Sequence, residues 1–549
     1  MPRELLRILA LWHPRYPWLI AGALLAVLAA LAGVALLALA GHGVAAAIGQ
    51  AAIGGGITAL LWLRPVILIR PLARYAERLV THEATFRALA DTRVWFFRRL
   101  AQRLPAGLGL RRAGDLLGRL VADVEALDGF YLRALVPGAA ALAVVAAIAV
   151  LLGAAPVLAL IAAGPLALAL LLPLLLAPGA ARAADRVAGA EGQLRVAVVD
   201  PLTGLEDTLA ANGEARAAAR MAEEGRLLSA AQRRLARRGA WGGAAGSVLS
   251  QAALLGALAW GLAAGEQGTA LAILAVFLTL AAAEALGVMP RAGAALAAAA
   301  AGARRLFEAA DTPEPVPDPP SPAPLPQGHA IGIRGLVFAW SPDRPRVFDG
   351  LDLDVPEGAR VALLGPSGAG KSSLAALLLK LAAPQAGSIT LGGVDIAGLR
   401  AADLRRRVAW LTQDARLFDD SIAANLRLAA PEAEDAALWQ ALERARIAEL
   451  VRALPDGLET RCGEAGARFS GGQARRLALA RALLSPAPVL ILDEPAAGLD
   501  ADTERAFLET LDEATAGRTV ILIVHRLVGV ERPSRILRLV AGRAIVAAG

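Results

Sequence analysis

The chain has 549 residues, enough for two or more domains with cores of their own. It is 56% hydrophobic with a mean hydropathy of +0.53 and a formal net charge of +7, which excludes an ordinary soluble protein and indicates a membrane part with surplus arginine. Its single cysteine, Cys462, excludes an intrachain disulfide, a dithiol centre and a cysteine-based metal cluster.

At the N-terminus Arg3, Arg7 and Arg15 precede an apolar stretch longer than the core of a cleavable leader, so it reads as a retained anchor. Three windows, 16–63, 134–181 and 239–290, contain neither Lys nor Arg. Each is long enough for two spans of about 20 residues and a turn. Turn signals fall near their midpoints: GHG at 41–43, GAAP at 153–156 and AGEQG at 264–268. Six spans in three hairpins are expected. Buried soluble helices would not space charge-poor segments in this way.

Every arginine-rich stretch lies between the hairpins or outside them. The positive-inside rule then places the N-terminus, 64–133, 182–238 and everything after 291 in the cytoplasm. The stretches between hairpins are helical in pattern and should carry the spans on the order of 40 Å beyond the bilayer. Levers are expected at roughly 105–125 and 200–215. Glu284, inside the sixth span, is costly in lipid and should face a cavity or a partner helix.

Residues 313–326, PEPVPDPPSPAPLP, cannot form helix or central strand and read as an extended spacer. The expected division is a transmembrane domain at 1–310, a linker at 311–328 and an α/β domain at 329–549, where short apolar strands alternate with helices.

ARVALLGPSGAGKSSL (359–374) fits a strand, a phosphate-binding loop and a helix. Backbone amides from Gly365, Pro366, Ser367, Gly368, Ala369, Gly370 and on to Ser373 would surround phosphate oxygens, the proline excepted, since it has no N–H. Lys371 should reach the β- and γ-phosphates and Ser372 should ligate Mg²⁺. VLILDEP (489–495) is an apolar strand ending in two acids. Asp493 suits the Mg²⁺ shell, and Glu494 suits the base that polarises the attacking water. RFSGGQARRLALARALL (468–484) caps a helix with Ser470, Gly471, Gly472 and Gln473, a second surface for phosphate.

With these motifs the chain resembles the ATP-binding cassette (ABC) family, whose signature LSGGQ appears here as FSGGQ. The resemblance implies an α-helical six-span exporter domain followed by an α/β nucleotide-binding domain of the P-loop NTPase class, and an ATPase coupled to transport. It further implies that Trp340 stacks on adenine, that Gln413 senses Mg²⁺ and meets the levers, and that His525 contacts the γ-phosphate. Glu464 would belong to a cross-talk loop and Asp500 to a loop exchanged between cassettes. The signature residues act on ATP held by a second cassette, so a second half-transporter is required.

RYAERLVTHEATFR (74–87) and GDLLGRLVADVEALDGFYLR (114–133), with AGLDADTE (497–504), resemble the CydC family of ABC half-exporters, which pair with CydD. That implies a bacterial inner-membrane heterodimer that exports cysteine and glutathione to the periplasm or handles haem, and that supports cytochrome bd assembly. On a helix Arg74, Arg78 and His82 share a face. His82 is a haem-ligand candidate with Arg78 for a propionate, or a structural histidine bonded to a neighbour such as Glu83. Arg64, Arg70 and Arg74 would attract an anionic thiol if they face a cavity, or serve as membrane anchors. Cys462 reads as a packing residue. The expected ligands are ATP, Mg²⁺, membrane lipid and a small thiol or haem, with no nucleic acid. The competing readings are a homodimeric lipid or multidrug half-exporter and a haem-sensing ABC ATPase uncoupled from thiol export.

Overall fold

The computed structural model describes residues 2–48, 53–103, 119–496, 501–540 and 542–546. Two compact units divide the chain. One holds the residues up to Thr312; the other begins at Pro313 and also takes in Arg103.

The N-terminal unit is helical because its charge-poor windows are long runs rich in alanine and leucine, and helix Pro156–Thr203 runs on through Pro165, Pro173 and Pro178. Its long helices are Tyr16–Ala47, Ile53–Ala101, Val136–Leu151, Pro156–Thr203, Glu214–Ala264, Glu266–Leu286 and Met289–Ala310. Among the described residues, five helical stretches are long and apolar enough to cross a membrane: His13–Ala47, Phe130–Leu151, Pro156–Thr203, Glu214–Ala264 and Gly268–Ala310. The expected second span falls on the start of Ile53–Ala101, where most side chains lie outside the described residues.

The turns at 153–155 and Gly265 lie where the sequence signals put them. The first hairpin does not turn at 41–43. Helix Tyr16–Ala47 runs through both glycines. A Cβ on Gly41 would lie 3.1 Å from the Phe277 ring, so this glycine serves a close helix crossing and not a turn. The segment 200–215 breaks at Gly204, forms the short helix Leu205–Ala210 and restarts at Glu214. The first lever lies mostly outside the described residues.

Ion pairs tie the polar ends of these helices together. Arg305 donates to both oxygens of the buried Asp123 at 2.5–3.1 Å, and Arg7 is bidentate to Asp311 at 2.7 and 2.9 Å. Buried Trp12 donates its indole N–H to Thr92 at 2.9 Å.

The C-terminal unit holds two sheets. Strands β1 (Ile331–Phe338), β2 (Phe348–Val355), β4 (Ala386–Leu391) and β5 (Val394–Asp395) form an antiparallel sheet in the order β2-β1-β4-β5. The second sheet is β10-β9-β3-β8-β7-β6, with β3 (Arg360–Leu364), β6 (Val408–Leu411), β7 (Val489–Asp493), β8 (Thr519–Ile523), β9 (Arg535–Val540) and β10 (Arg543–Val546). Its strands β9 to β6 run parallel. Strands β7 and β8 are buried at every position, as a parallel sheet covered on both faces requires.

The proline-rich segment is irregular, and it is held on this unit. Asp318 accepts from the Ala401 amide at 2.7 Å, Ala323 donates to the Gly398 carbonyl at 2.8 Å, and Arg407 donates to the Pro326 carbonyl at 2.6 Å.

Candidate functional site

Ligands of open parallel sheets sit beyond the carboxyl ends of the strands. Four adjacent strands here deliver chemistry at that end. The loop Gly365–Gly370 follows β3, His525 follows β8, Asp493 and Glu494 close β7, and Gln413 follows β6.

The loop after β3 is shaped for phosphate. Gly368 has φ +81° and Gly370 φ +97°. At Gly370 a Cβ would strike Val347 at 2.4 Å, so glycine is required for both conformation and space. The buried Lys371 donates its ammonium to the carbonyls of Gly365 at 2.7 Å and Pro366 at 3.0 Å. Burial pulls its pKa down, while Asp493 and Glu494 pull it back up. Ser372 donates its hydroxyl to Asp493 Oδ2 at 2.8 Å. Burial raises the Asp493 carboxyl above its ordinary range. A hydroxyl oxygen and a carboxylate this close fit the shell of a small hard cation such as Mg²⁺.

Glu494 meets both of its expected companions. Its Oε1 lies 2.6 Å from His525 Nε2, and Gln413 Nε2 approaches Oε2 at 3.4 Å. Its backbone has φ +49°, an uncommon conformation for glutamate that costs about 1 kcal/mol or more and turns the carboxylate off the strand. The Glu494 amide donates to the Ile523 carbonyl at 2.8 Å, which fixes β7 and β8 in register at this point.

Sequence reasoning missed Arg475. From the helix Gly471–Leu484 its guanidinium donates to the Glu494 carbonyl at 2.9 Å and to the carbonyls of Asp493 and Gln413. Burial lowers its pKa, and Glu494 and Asp493 offset that shift. One cation thus ties the β6 and β7 ends to the signature helix. The only signal in the sequence was an arginine pair just past the signature, beside two acids in need of a fixed frame.

Ser470 and Gln473 form a reciprocal capping box. The Gln473 amide donates to Ser470 Oγ at 3.3 Å, and the Ser470 amide donates to Gln473 Oε1 at 2.9 Å. Trp340 lies at the phosphate loop, donating its indole N–H to Ser373 Oγ at 3.0 Å, with its ring edge-on to Phe338. Glu464 starts a short 3₁₀ turn at 464–466. Asp500 lies outside the described residues. Cys462 is fully buried, its sulfur accepting from Asn425 Nδ2 at 3.5 Å, and burial pushes its thiol up to about 11.

In the membrane unit Arg74, Arg78 and His82 line one cavity of about 520 Å³, together with Arg70, Glu77 and Glu284. Arg70 Nη2 donates to both oxygens of Glu284 at 2.7 and 2.6 Å, so the costly acid of the sixth span is paired. A Cβ on Gly33 would lie 3.5 Å from Arg70 Nε, and the glycine leaves room for the guanidinium. The exposed His82 has Phe86 edge-on at 5.9 Å, and its neighbour Glu83 pairs with Arg87 at 2.6 Å. Among the described residues no cluster of His, Cys, Asp and Glu could hold a metal ion by itself. Arg64 lies on helix Ile53–Ala101 and does not line this cavity.

Residues 348–497 match the family model described as ABC transporter. Over its length the chain is similar to the Escherichia coli (strain K12) glutathione/L-cysteine transport system ATP-binding/permease protein CydC, with 34% identity covering 99% of this chain and 96% of that one. It is also similar to the corresponding Bacillus subtilis (strain 168) protein CydD, at 33% identity over 87% of this chain and 84% of that one. Among solved structures, a bacterial Atm1-family ABC exporter with ATP bound superposes with a TM-score of 0.84 at 25% identity, covering 96% of this chain and 94% of the other.

Proposed function

This chain belongs to the CydC-like family of ABC transporters, and we propose that it is the CydC-type half of a heterodimer that exports glutathione and cysteine from the cytoplasm to the periplasm. It is an ATPase subunit coupled to transport in a multi-pass membrane protein. The bacterial inner membrane is its proposed location, with the N-terminus and the nucleotide-binding domain in the cytoplasm. The other half is a CydD-like chain.

The observation that carries the ATPase assignment is the convergence of Gln413, Glu494 and His525 beside the Ser372–Asp493 pair, at the carboxyl end of one sheet. Trp340 stacks on adenine. Lys371 leaves the Gly365 and Pro366 carbonyls for the β- and γ-phosphates, while the amides of Gly368, Ala369 and Gly370 donate to phosphate oxygens. Ser372, Asp493 and Gln413 would hold Mg²⁺, which would supply neutralisation of phosphate charge. Glu494 accepts a hydrogen bond from the attacking water, and His525 orients Glu494 and approaches the γ-phosphate. Ser470, Gly471, Gly472 and Gln473 serve the nucleotide of the partner cassette.

For the cargo, the cavity of Arg70, Arg74, Arg78, Glu77 and Glu284 carries carboxylate-binding cations and acids that match an ammonium, the polar groups of an anionic thiol peptide. The test is ATP-driven uptake of glutathione and of cysteine into inverted vesicles holding both halves. Accumulation that requires Glu494 supports the proposal; hydrolysis at full rate with neither thiol accumulating sinks it.

His82 in the same cavity favours a second reading, haem handling in support of cytochrome bd assembly. One imidazole flanked by two guanidiniums fits a tetrapyrrole with two propionates. His82 would supply the iron ligand, and Arg74 and Arg78 the counter-charges. His82→Ala should weaken the Soret band of the purified complex, and an unchanged spectrum retires the ligand.

A further inference from the structure

Two further cavities of the membrane unit meet at Arg238 and Trp241, and we propose that together they bind an acidic phospholipid, its phosphate among arginines and its acyl chains in an apolar chamber.

The first is a cleft of about 430 Å³ between helices Pro156–Thr203 and Glu214–Ala264, lined by Arg186, Arg234, Arg237 and Arg238 and by no carboxylate. Among the described residues none of the four forms an ion pair. Two nearby acids are paired elsewhere, Asp185 with Arg304 at 2.7 Å and Glu223 with Arg226, and Glu191 and Glu224 do not line the cleft. Four like charges sharing a cleft repel one another unless an anion joins them. Guanidinium forks match the oxygens of a phosphate.

The second is a chamber of about 790 Å³ whose wall includes Leu172, Leu176, Leu286 and Met289. Arg238 and Trp241 line both spaces, so the charged cleft adjoins the apolar one. Arg238 donates to the Gly179 carbonyl, and a Cβ at 179 would come within 3.3 Å of its Nη1; the glycine admits the guanidinium.

The position suits a headgroup. Arg238 ends a basic stretch immediately before the window 239–290, and Arg182 follows the charge-free window 134–181. The cleft therefore lies at the boundary between apolar segment and water, where Trp241 is 72% exposed. Indoles concentrate at that depth, and basic pockets between spans take anionic headgroups. A small soluble anion would satisfy the arginines and leave the apolar chamber unfilled. An amphipath fills both. None of this uses the cavity of His82 and Arg74, so the lipid site stands or falls independently of the thiol and haem readings.

Native mass spectrometry of the full chain with its partner half, titrated with dioleoyl phosphatidylglycerol, tests it. The Arg234→Gln/Arg237→Gln pair should weaken binding on the order of tenfold or more, and phosphatidylcholine with the same chains should bind correspondingly weakly. Gly246→Phe keeps every arginine and projects into open space beside the chamber. It should weaken the lipid to a similar degree, and it decides the matter if the double variant fails to fold. Equal binding by wild type and Gly246→Phe overturns the proposal. So does displacement of the lipid by glycerol 3-phosphate or glutathione at equal concentration, which would mark a site for a soluble anion. Binding to the isolated chain that vanishes in the heterodimer also overturns it, because a partner helix would then own the chamber.

Discussion

The phosphate site and the His82 cavity solve the same problem, holding charge, in opposite ways. In the nucleotide-binding unit the functional side chains gather at or beside the strand ends, and each is fixed by a neighbour: Ser372 to Asp493, His525 and Gln413 to Glu494, and Arg475, from the signature helix, to three carbonyls. In the membrane unit the charged groups project from long helices into a cavity, and among the described residues only the Arg70–Glu284 pair ties two elements across it. A hydrolytic site gains from preorganisation, because reorganising charge during reaction adds to the barrier. A transport cavity must release what it binds, and side chains left unpaired can follow a ligand. The difference separates a centre built for chemistry from the cavity proposed for passage.

The sharpest test of that contrast is Glu494→Gln. It removes the proposed base and preserves shape, so hydrolysis should fall about 10²–10⁴-fold while ATP affinity stays within a few-fold. Phosphate-release kinetics and equilibrium ATP binding measure the two. Comparable hydrolysis by the variant would show that preorganisation at β7 is not what drives turnover.

Arg475→Met probes the frame and leaves the reacting groups in place. Three main-chain acceptors lose their donor, and Glu494 is freed to shift. Since misplacement by about 1 Å costs up to roughly 10²-fold, kcat should drop between tenfold and a hundredfold with KM for ATP little changed. Arg475→Lys should restore only part, because one ammonium cannot reproduce a fork that bonds three carbonyls. Equal losses in KM and kcat would reassign Arg475 to nucleotide binding.

The same contrast explains what the sequence revealed. The phosphate loop, the DE pair and the signature are contiguous words, since a strand end and the following turn present consecutive residues to one ligand. The Arg475 frame was not legible, because its acceptors are carbonyls that any residue carries. The His82 cavity was half legible. One helix face set Arg74, Arg78 and His82 together, but Arg70 and Glu284 are distant in sequence, and only the fold pairs them. GHG at 41–43 misled because a glycine that starts a turn and a glycine that admits a neighbouring ring look alike in sequence.

Gly22 tests how tightly the helices behind the His82 cavity are packed. A Cβ there would lie 2.7 Å from the Tyr131 hydroxyl and 2.8 Å from Thr81 Cγ2, and Tyr131 already donates to the Leu19 carbonyl at 2.6 Å. Gly22→Ala should cost about 1–3 kcal/mol, visible as a lower melting temperature in detergent. Gly43 on the same helix has nothing within 4 Å of its added Cβ, so Gly43→Ala should be nearly neutral or slightly stabilising. Equal melts for the two variants would mean that helix contact, like the cavity, is loosely held.

The smallest effect expected belongs to Cys462, the only thiol of a chain proposed to carry thiols. It is fully buried, and burial with nearby Asp420 and Asp419 raises its pKa to about 11. A thiol held neutral is unreactive, so at pH 8 alkylation should be far slower than for the unfolded chain. The sign of the stability effect follows. The unfolded thiol ionises near its ordinary value while the folded one does not, so its contribution is complete below about pH 8.5 and is lost as the pH climbs towards 11. Melting followed from pH 7 to 10 in wild type and Cys462→Ala should diverge least at the top of that range. Fast native alkylation at pH 8 would show that the nucleotide-binding unit opens around this residue, and its rigidity relative to the membrane cavity would then be confined to the strand ends.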